Sequence, residues 1–469
     1  MNRPTLKLTD EQMRDFIVNG YLKVKTDFPA GFHENIRQQV DTMFEETGNL
    51  GNNLLPAIPE IQEVFDNPVV HGAMQGVLGS EYVMHPHRYC HFNQQGSEGQ
   101  NFHKDSYAGD EQIRRHRCRW TMAFYYPQDV TEDMGPTAVL PGSQYYETGE
   151  SAHQQPEVAL CGEAGTVTIV HYDLWHRAMP NQSDKKRYML KFLFIRLDEP
   201  QTPLWKNESA NWQPLGNRET SEHPELWESV WDWYAGKQNG NPANGVSHAE
   251  VDTLIETLDS DNEKDRLNAA YRLGRVGEDV LPTLNQALHS TSATTREYAG
   301  YALSLTGASA VPTLIDALQT TDDAVRASAA FAMADMGKAA QEALPALARA
   351  AQDPNELVRR HATEGLGLIG QQVSEDIDLS ETVQILTTCL SDDHFPVRDN
   401  AARALAKLGM LAEPAIPALV AQLEDEDRYV RFHAAVALKQ IGTPKAQDAL
   451  FNHLFTSRWC ALTTRGTPY

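Results

Sequence analysis

Residues 101–127 read NFHKDSYAGDEQIRRHRCRWTMAFYYP. This stretch sets His103 and Asp105 two positions apart, just ahead of an alternating, aromatic-rich segment. Side chains of an extended chain alternate between faces, so residues two apart share a face and can reach one point. Two readings follow from the pair alone. One is a surface strand with polar residues on its outer face. The other is a pair of metal ligands. The pair does not separate them, and the decision falls to the chain around it.

Outward from this stretch, residues 81–197 form a succession of short runs: YVMHPHRYCHF, RWTMAFYYP, TAVLPG, GTVTIVHYD and RYMLKFLFIRL. Turn signals separate them, among them MGP at 134–136 and PGS at 141–143. Short strands joined by tight turns predict a sandwich or jelly roll. Nearer the N-terminus, LTDEQMRDFIVNGYLKV carries a capping box, with Thr9 as N-cap and Gln12 three residues on. Asn19-Gly20 ends that helix, and YLKVK reads as a strand. A second amphipathic helix is expected over about 33–46. Residues 200–234 are Trp-rich (LWKNESANW, ELWESVWDWY) and read as a closing segment packed on the sheet. AGKQNGNPANGV, at 235–246, has the Gly, Asn and Pro of a linker.

Beyond it the period changes. Arg266, Arg296, Arg326, Arg359, Arg398 and Arg431 recur in similar settings, as in AVRASAAFAMADMG and PVRDNAARALAKLG. Small residues at helical spacing follow each one, and in most cases a Gly that would end the helix. This is a repeat of two short helices, each unit burying its apolar stripe on the next. It resembles HEAT repeats over roughly 248–455. The recurring arginines are expected to be structural, each pairing with an Asp or carbonyl of a neighbouring repeat.

The 469 residues suit several domains, and 41% hydrophobic with 22% charged residues is ordinary for a globular chain. The net charge is -24 and evenly spread: residues 1–240 hold 33 acidic and 21 basic side chains, residues 241–469 hold 31 and 19. Such a field repels nucleic acid and anionic membrane, so neither is expected as a partner. The N-terminus lacks the apolar core of a signal peptide, and the run of apolar residues needed to span a bilayer is not expected. Five scattered cysteines without a CxxC point away from a disulfide framework or a cysteine zinc site. The cytoplasm is the expected compartment.

A two-histidine, one-carboxylate site for non-haem Fe(II) needs a third ligand on another strand. The segment GTVTIVHYDLWHRAMPNQSDKKRYMLKFLF offers His176 after a strand and turn, then a loop and a strand carrying Arg187. That spacing lets the next strand run back antiparallel and turn the guanidinium into the same cavity, where it suits a carboxylate. At this point the chain resembles the phytanoyl-CoA dioxygenase family of Fe(II)/2-oxoglutarate oxygenases, over roughly residues 6–200. The resemblance rests on LTDEQMRDFIVNGYLKV, FHKD, DMGPTAVLPGSQ and HRAMPNQSDKKRYMLKF, in that order. It implies His103, Asp105 and His176 as iron ligands and catalytic centre. It implies Arg187 as partner of the distal carboxylate of 2-oxoglutarate, and Trp120 beside that cosubstrate, with O2 as co-reactant. One departure is Ala178, where many relatives carry a Ser or Thr that contacts the cosubstrate. Relatives that halogenate have a small residue in place of Asp105, so hydroxylation or another oxidation is implied.

Other residues have plainer readings. His171 is expected to orient the turn before His176 or to line the pocket. His85, His87 and His91 share a face and read as pocket wall or solvated surface, with metal binding as the alternative. Arg115, Arg117 and Arg119 read as a solvated strand face, with attraction of an anionic substrate such as a CoA ester as the alternative. Tyr107 and Trp175 are candidates to touch a small-molecule substrate. The expected architecture is multidomain: a double-stranded β-helix (jelly roll) oxygenase with flanking helices at 1–234, a linker at 235–247, an all-α HEAT-like solenoid at 248–455 and a tail at 456–469. The rival classes are a non-catalytic scaffold whose solenoid binds a protein partner, and a jelly-roll enzyme using another divalent metal. The second has no need of Arg187.

Overall fold

The computed structural model describes residues 6–105, 116–214, 222–237, 247–373 and 376–456. They fall into two compact units, Met1–Ser309 and Ala310–Tyr469.

In the first unit the capping box forms as written. Thr9 Oγ1 accepts from the Gln12 amide, Gln12 Oε1 accepts from the Thr9 amide, and α1 (Asp10–Asn19) starts there. Gly20, at φ 76°, ends it and hands the chain to β1 (Tyr21–Lys25). Helices α2 (Ala30–Glu46), α3 (Leu54–Ala57), α4 (Ile61–Asp66) and α5 (Pro68–Leu78) lead to β2 (Tyr82–Asn93). Then follow β3 (Trp120–Tyr125), β4 (Thr137–Val139), the helical turn α6 (Gly149–Ala152), β5 (Val158–Ala159), β6 (Thr166–His171), β7 (His176–Ala178) and β8 (Arg187–Arg196).

These strands make two antiparallel sheets, ordered β1-β6-β3-β8-β2 and β5-β4-β7. The core draws on both: Met122, Phe124, Met189 and Leu193 from the larger, Val139 from the smaller, with Leu174 from the turn before β7. The sheets therefore close on one another as a jelly roll. All ten residues of β8 are buried. Its odd-numbered residues face the interior, and its outer face is covered by helix, with Phe65 of α4 against Phe192 and Phe194. That double burial is why RYMLKFLFIRL reads as a continuous run with little alternation. In β2 the pairing with β8 shifts register between Met84 and Arg88. Pro86 lies in that gap and has no N–H to give to the ladder.

The Trp-rich segment forms α7 (Pro224–Tyr234), which buries Leu226, Trp227, Val230 and Trp231. Trp231 packs on Trp205, whose Nε1 donates to Asp10. Four repeat helices belong to the same compact unit: α8 (His248–Thr257), α9 (Glu263–Gly274), α10 (Leu281–Leu288) and α11 (Ala293–Thr306). Buried Glu263 accepts from the Glu147 and Thr148 amides and from Thr148 Oγ1. Tyr271 pairs with His116, Asn268 with His223, and Arg275 with Glu228. The unit thus runs past the 235–247 stretch read as a linker, of which 238–246 lie outside the described residues.

The second unit holds α12 (Val311–Ala317), α13 (Asp323–Met336), α14 (Leu344–Ala350), α15 (Glu356–Gly370), α16 (Ser380–Cys389), α17 (Phe395–Leu408), α18 (Ile416–Gln422), α19 (Arg428–Ile441) and α20 (Pro444–Thr456). The long helices α13, α15, α17 and α19 stack in series. Gly367 permits one close approach, since a Cβ there would lie 2.6 Å from Ala404. The recurring arginines are structural. Arg326, Arg359 and Arg398 each grip an aspartate of the next repeat, Asp353, Asp392 and Asp425, through Nε and Nη2. Each also donates Nη1 to the carbonyl six residues back, and so do Arg266, Arg296 and Arg431. The stretch 395–422 is apolar enough for its length to cross a membrane. It is two helices of successive repeats, α17 and α18, broken by a 3-10 turn at Gly409–Ala415. The tail from 457 onward lies outside the described residues.

Candidate metal centre

β7 begins at His176, and His103 lies directly across from it. Each residue's amide donates to the other's carbonyl, both at 3.0 Å. Such a hydrogen-bonded antiparallel pair sets two side chains next to each other on one face. The imidazole centroids are 4.6 Å apart. Asp105, two residues further and only 7% exposed, turns back to the same point. Its Oδ1 is 4.0 Å from His103 Nε2 and its Oδ2 is 3.8 Å from His176 Nε2. One ligand atom from each of the three residues lies within 4.8 Å of the others.

The rings are poised for a metal. His103 Nδ1 lies 2.9 Å from the Asn101 carbonyl, and His176 Nδ1 lies 2.9 Å from the Leu174 carbonyl. A carbonyl only accepts, so each Nδ1 carries the proton and each ring turns its Nε2 towards Asp105. Burial pushes His176 down to about 4, so this ring is neutral near pH 7. Two imidazole lone pairs and a carboxylate converging on one point fit a divalent metal of the non-haem Fe(II) type.

The turn between β6 and β7 fixes this aim. His171 Nδ1 accepts from the Asp173 amide at 3.1 Å, so His171 orients the turn, as its position suggested. Trp175 donates its amide to Ser143 Oγ and its Nε1 to the Tyr146 carbonyl, and its ring lies near His153. Tyr107 lies outside the described residues.

Arg187, 1% exposed, enters the interior at the first position of β8. Its Nε and Nη2 both donate to the Gly135 carbonyl, at 2.9 and 2.6 Å, and Nη1 reaches the His91 carbonyl at 3.4 Å. Three of the five guanidinium N–H bonds are used in this way. The end of the fork keeps one hydrogen on each Nη. Gly135, from the MGP turn, is left-handed at φ 67°, and a Cβ there would sit 2.5 Å from Asn93 Nδ2 and from the Met179 carbonyl. Only glycine lets this carbonyl come so near Arg187.

Trp120 also faces the interior, against His85 and Tyr172. It pairs with Ile195, near the opposite end of β8 from Arg187. The structure therefore does not bring Trp120 beside Arg187. Arg119 departs from the solvated strand face expected for it. It is buried and makes a two-pronged ion pair with buried Glu199, at 2.6 and 2.9 Å. The physical reason is α7, whose Trp233 donates to Glu199 and lies under the guanidinium. Arg115 lies outside the described residues.

One interior residue, Lys191, had escaped the sequence reading, and another, His91, had been read as pocket wall or solvated surface. Lys191, 4% exposed, donates to Asp105 Oδ2 at 2.7 Å. His91 pairs in register with Met189, between Arg187 and Lys191, so it shares their interior face. Burial, with Lys191 and Arg187 adding, pushes it down to about 3. The signal was available for Lys191: it shares parity with Arg187 in a mainly apolar, doubly buried strand.

The fold and the site together define a jelly roll with a two-histidine, one-carboxylate metal-type centre. Comparison with known proteins gives the finer assignment: residues 32–189 match the phytanoyl-CoA dioxygenase family, and residues 251–334, 311–406 and 383–459 match HEAT repeats. The chain thus carries a phytanoyl-CoA dioxygenase domain followed by HEAT repeats. A curated relative, phycocyanobilin lyase subunit alpha of a Picosynechococcus species, is 41% identical over 78 residues, which is 17% of this chain and 28% of that protein. The chain spans little more than a quarter of that relative's length. Among solved structures, a non-heme alpha ketoglutarate dependent carbocyclase, SnoK of nogalamycin biosynthesis, is similar at TM-score 0.35 and 17% identity, over 42% of this chain and 88% of its own. EctD from S. alaskensis, solved with 2-oxoglutarate and 5-hydroxyectoine, is similar at TM-score 0.37 and 15% identity, over 52% and 88%. HygX from Streptomyces hygroscopicus, with nickel and 2-oxoglutarate bound, is similar at 0.34 and 16%, over 43% and 93%.

Proposed function

We propose that the chain is a non-haem Fe(II)- and 2-oxoglutarate-dependent oxygenase that hydroxylates a small organic substrate. The observation that carries this reading is the cross-strand pair of His103 and His176 closing on Asp105, each ring fixed through Nδ1. The family match over 32–189 supports it. Iron, 2-oxoglutarate and O2 together would supply an oxidation of the substrate coupled to decarboxylation of the 2-oxo acid to succinate.

The chain's own residues prepare that chemistry. His103 Nε2, Asp105 and His176 Nε2 would hold the metal, which would supply the oxygen chemistry. Arg187 offers the uncommitted end of its fork to the distal carboxylate of the cosubstrate. Phe124, against His176, and Met122, Met189 and Leu193 give the interior an apolar lining. Asp105, a full ligand, supports hydroxylation over halogenation on the family resemblance. The intact triad disfavours a purely scaffolding role, and the HEAT repeats remain candidates to bind a protein partner.

The test is iron-dependent succinate release from 2-oxoglutarate. His176→Ala is expected to abolish it with the circular dichroism spectrum unchanged. Release at the parent rate in that variant would remove His176 from the centre.

A further inference from the structure

Lys191 is a second interior cation that the reading above leaves unused. It sits on the same face of β8 as Arg187, with Tyr89 and Phe124 as its register partners. Its side chain is 5% exposed, and its Nζ is 2.7 Å from Asp105 Oδ2, the oxygen that also lies 3.8 Å from His176 Nε2. An ammonium at that point repels an incoming divalent cation. A centre built to hold a dication alone gains nothing from it. The charge makes sense when an anion arrives with the metal. An ammonium has three donors, and in that setting it can serve the ligand carboxylate and a second carboxylate together. His91 lies between the two cations, its buried Nε2 without a hydrogen-bond partner among the described residues. The interior face thus presents Arg187, His91 and Lys191 in sequence, leading to the triad.

We propose that Lys191 is an anion-binding position at the metal end of the cavity. It receives the carboxylate adjoining the keto group of a 2-oxo dicarboxylate whose far end rests on Arg187. This rests on the proposed function and adds a consequence to it. Lys191 opposes metal alone and favours metal with the anion, so the two ligands bind with positive coupling through this side chain.

The experiment measures binding, with no turnover. Co(II) is titrated into the metal-free full chain by calorimetry, with and without 2-oxoglutarate, for the parent, Lys191→Met and Lys191→Arg. In the parent, 2-oxoglutarate is expected to tighten Co(II) about tenfold or more, within the usual range of coupling between sites. In Lys191→Met, Co(II) alone is expected to bind more tightly than in the parent, and the gain from 2-oxoglutarate to fall to about twofold. Lys191→Arg keeps the charge and is expected to keep most of the gain. If the Met variant does not fold, Lys191→Gln carries the same comparison. Weaker Co(II) binding in the neutral variant with the full gain retained would make Lys191 a structural partner of Asp105 and overturn the proposal. Co(II) binding by the parent with no response to 2-oxoglutarate is a different failure. It would overturn the oxygenase reading itself, and the role of Lys191 with it.

Discussion

At the scale of single residues, the candidate centre depends on where polar hydrogens are already committed. Arg187 is held from behind by the Gly135 carbonyl, which leaves only the end of its fork for a ligand. Arg187→Ala is expected to weaken 2-oxoglutarate binding by roughly 30- to 1000-fold, the ~2–4 kcal/mol of a buried charge-assisted pair. Lys at 187 should restore only part, because it lacks the planar fork. Equal affinity in Arg187→Ala, read by calorimetry with Co(II) present, would put the carboxylate elsewhere. Gly135→Ala probes the same contact from the other side. Left-handed backbone costs a non-glycine residue about 1–2 kcal/mol, and the new Cβ would crowd Asn93 and Met179. The variant should melt several degrees lower and bind the dicarboxylate less tightly. An unchanged melting temperature would mean that the turn can relax freely.

At the scale of elements, helix pairs are tied by arginine and aspartate. Arg359 of α15 bridges to Asp392, with side-chain exposures of 14% and 11%. Arg359→Ala strands the carboxylate and is expected to cost about 2 kcal/mol, seen as a lower urea midpoint of the helical signal. Charge acts differently on α11. Burial, with Glu147 and Glu263 adding, raises Glu297 from an ordinary 4.5 to about 7. Between those values the folded chain keeps a proton that the unfolded chain has released. Stability from this group is therefore full below pH 4.5 and lost as pH rises through 7. Glu297→Gln should be more stable than the parent at pH 8, with little difference at pH 4.5. Parallel urea midpoints for the two proteins at both pH values would show that Glu297 is solvated.

At the scale of the whole molecule, the first compact unit runs through Ser309 and includes the first two helix pairs of the repeat array. Glu263, Tyr271, Asn268 and Arg275 bind residues 147–148, His116, His223 and Glu228. Residues 147–148 and His223 border Tyr146, whose carbonyl holds Trp175 beside His176. We therefore expect a fragment of residues 1–309 to stay soluble and bind Co(II). A fragment of 1–237, lacking those partners, should aggregate or melt several degrees lower. Identical melting temperatures for the two fragments, by light scattering and circular dichroism, would reject the seam and restore a boundary near 235–247.

Much of this was legible in the chain. The capping box, the YLKVK strand, the run of short strands and the repeated arginines are local patterns, and local patterns survive folding because backbone propensity and periodicity set them. His103, Asp105 and His176 could be singled out from spacing and family resemblance, but their meeting is a tertiary fact. It needs β7 to pair with residue 103 across 73 positions of chain, and no periodicity encodes that pairing. The same holds for Lys191 against Asp105, for Arg119 against Glu199 and for Glu263 beneath residues 147–148. Each joins a buried charge to a partner far away in sequence. The sequence determined which segments are strands, which are helices and which residues are suited to hold a metal. Only the tertiary structure decided which charges share a dry interior, because desolvation and pairing depend on neighbours that folding alone brings together.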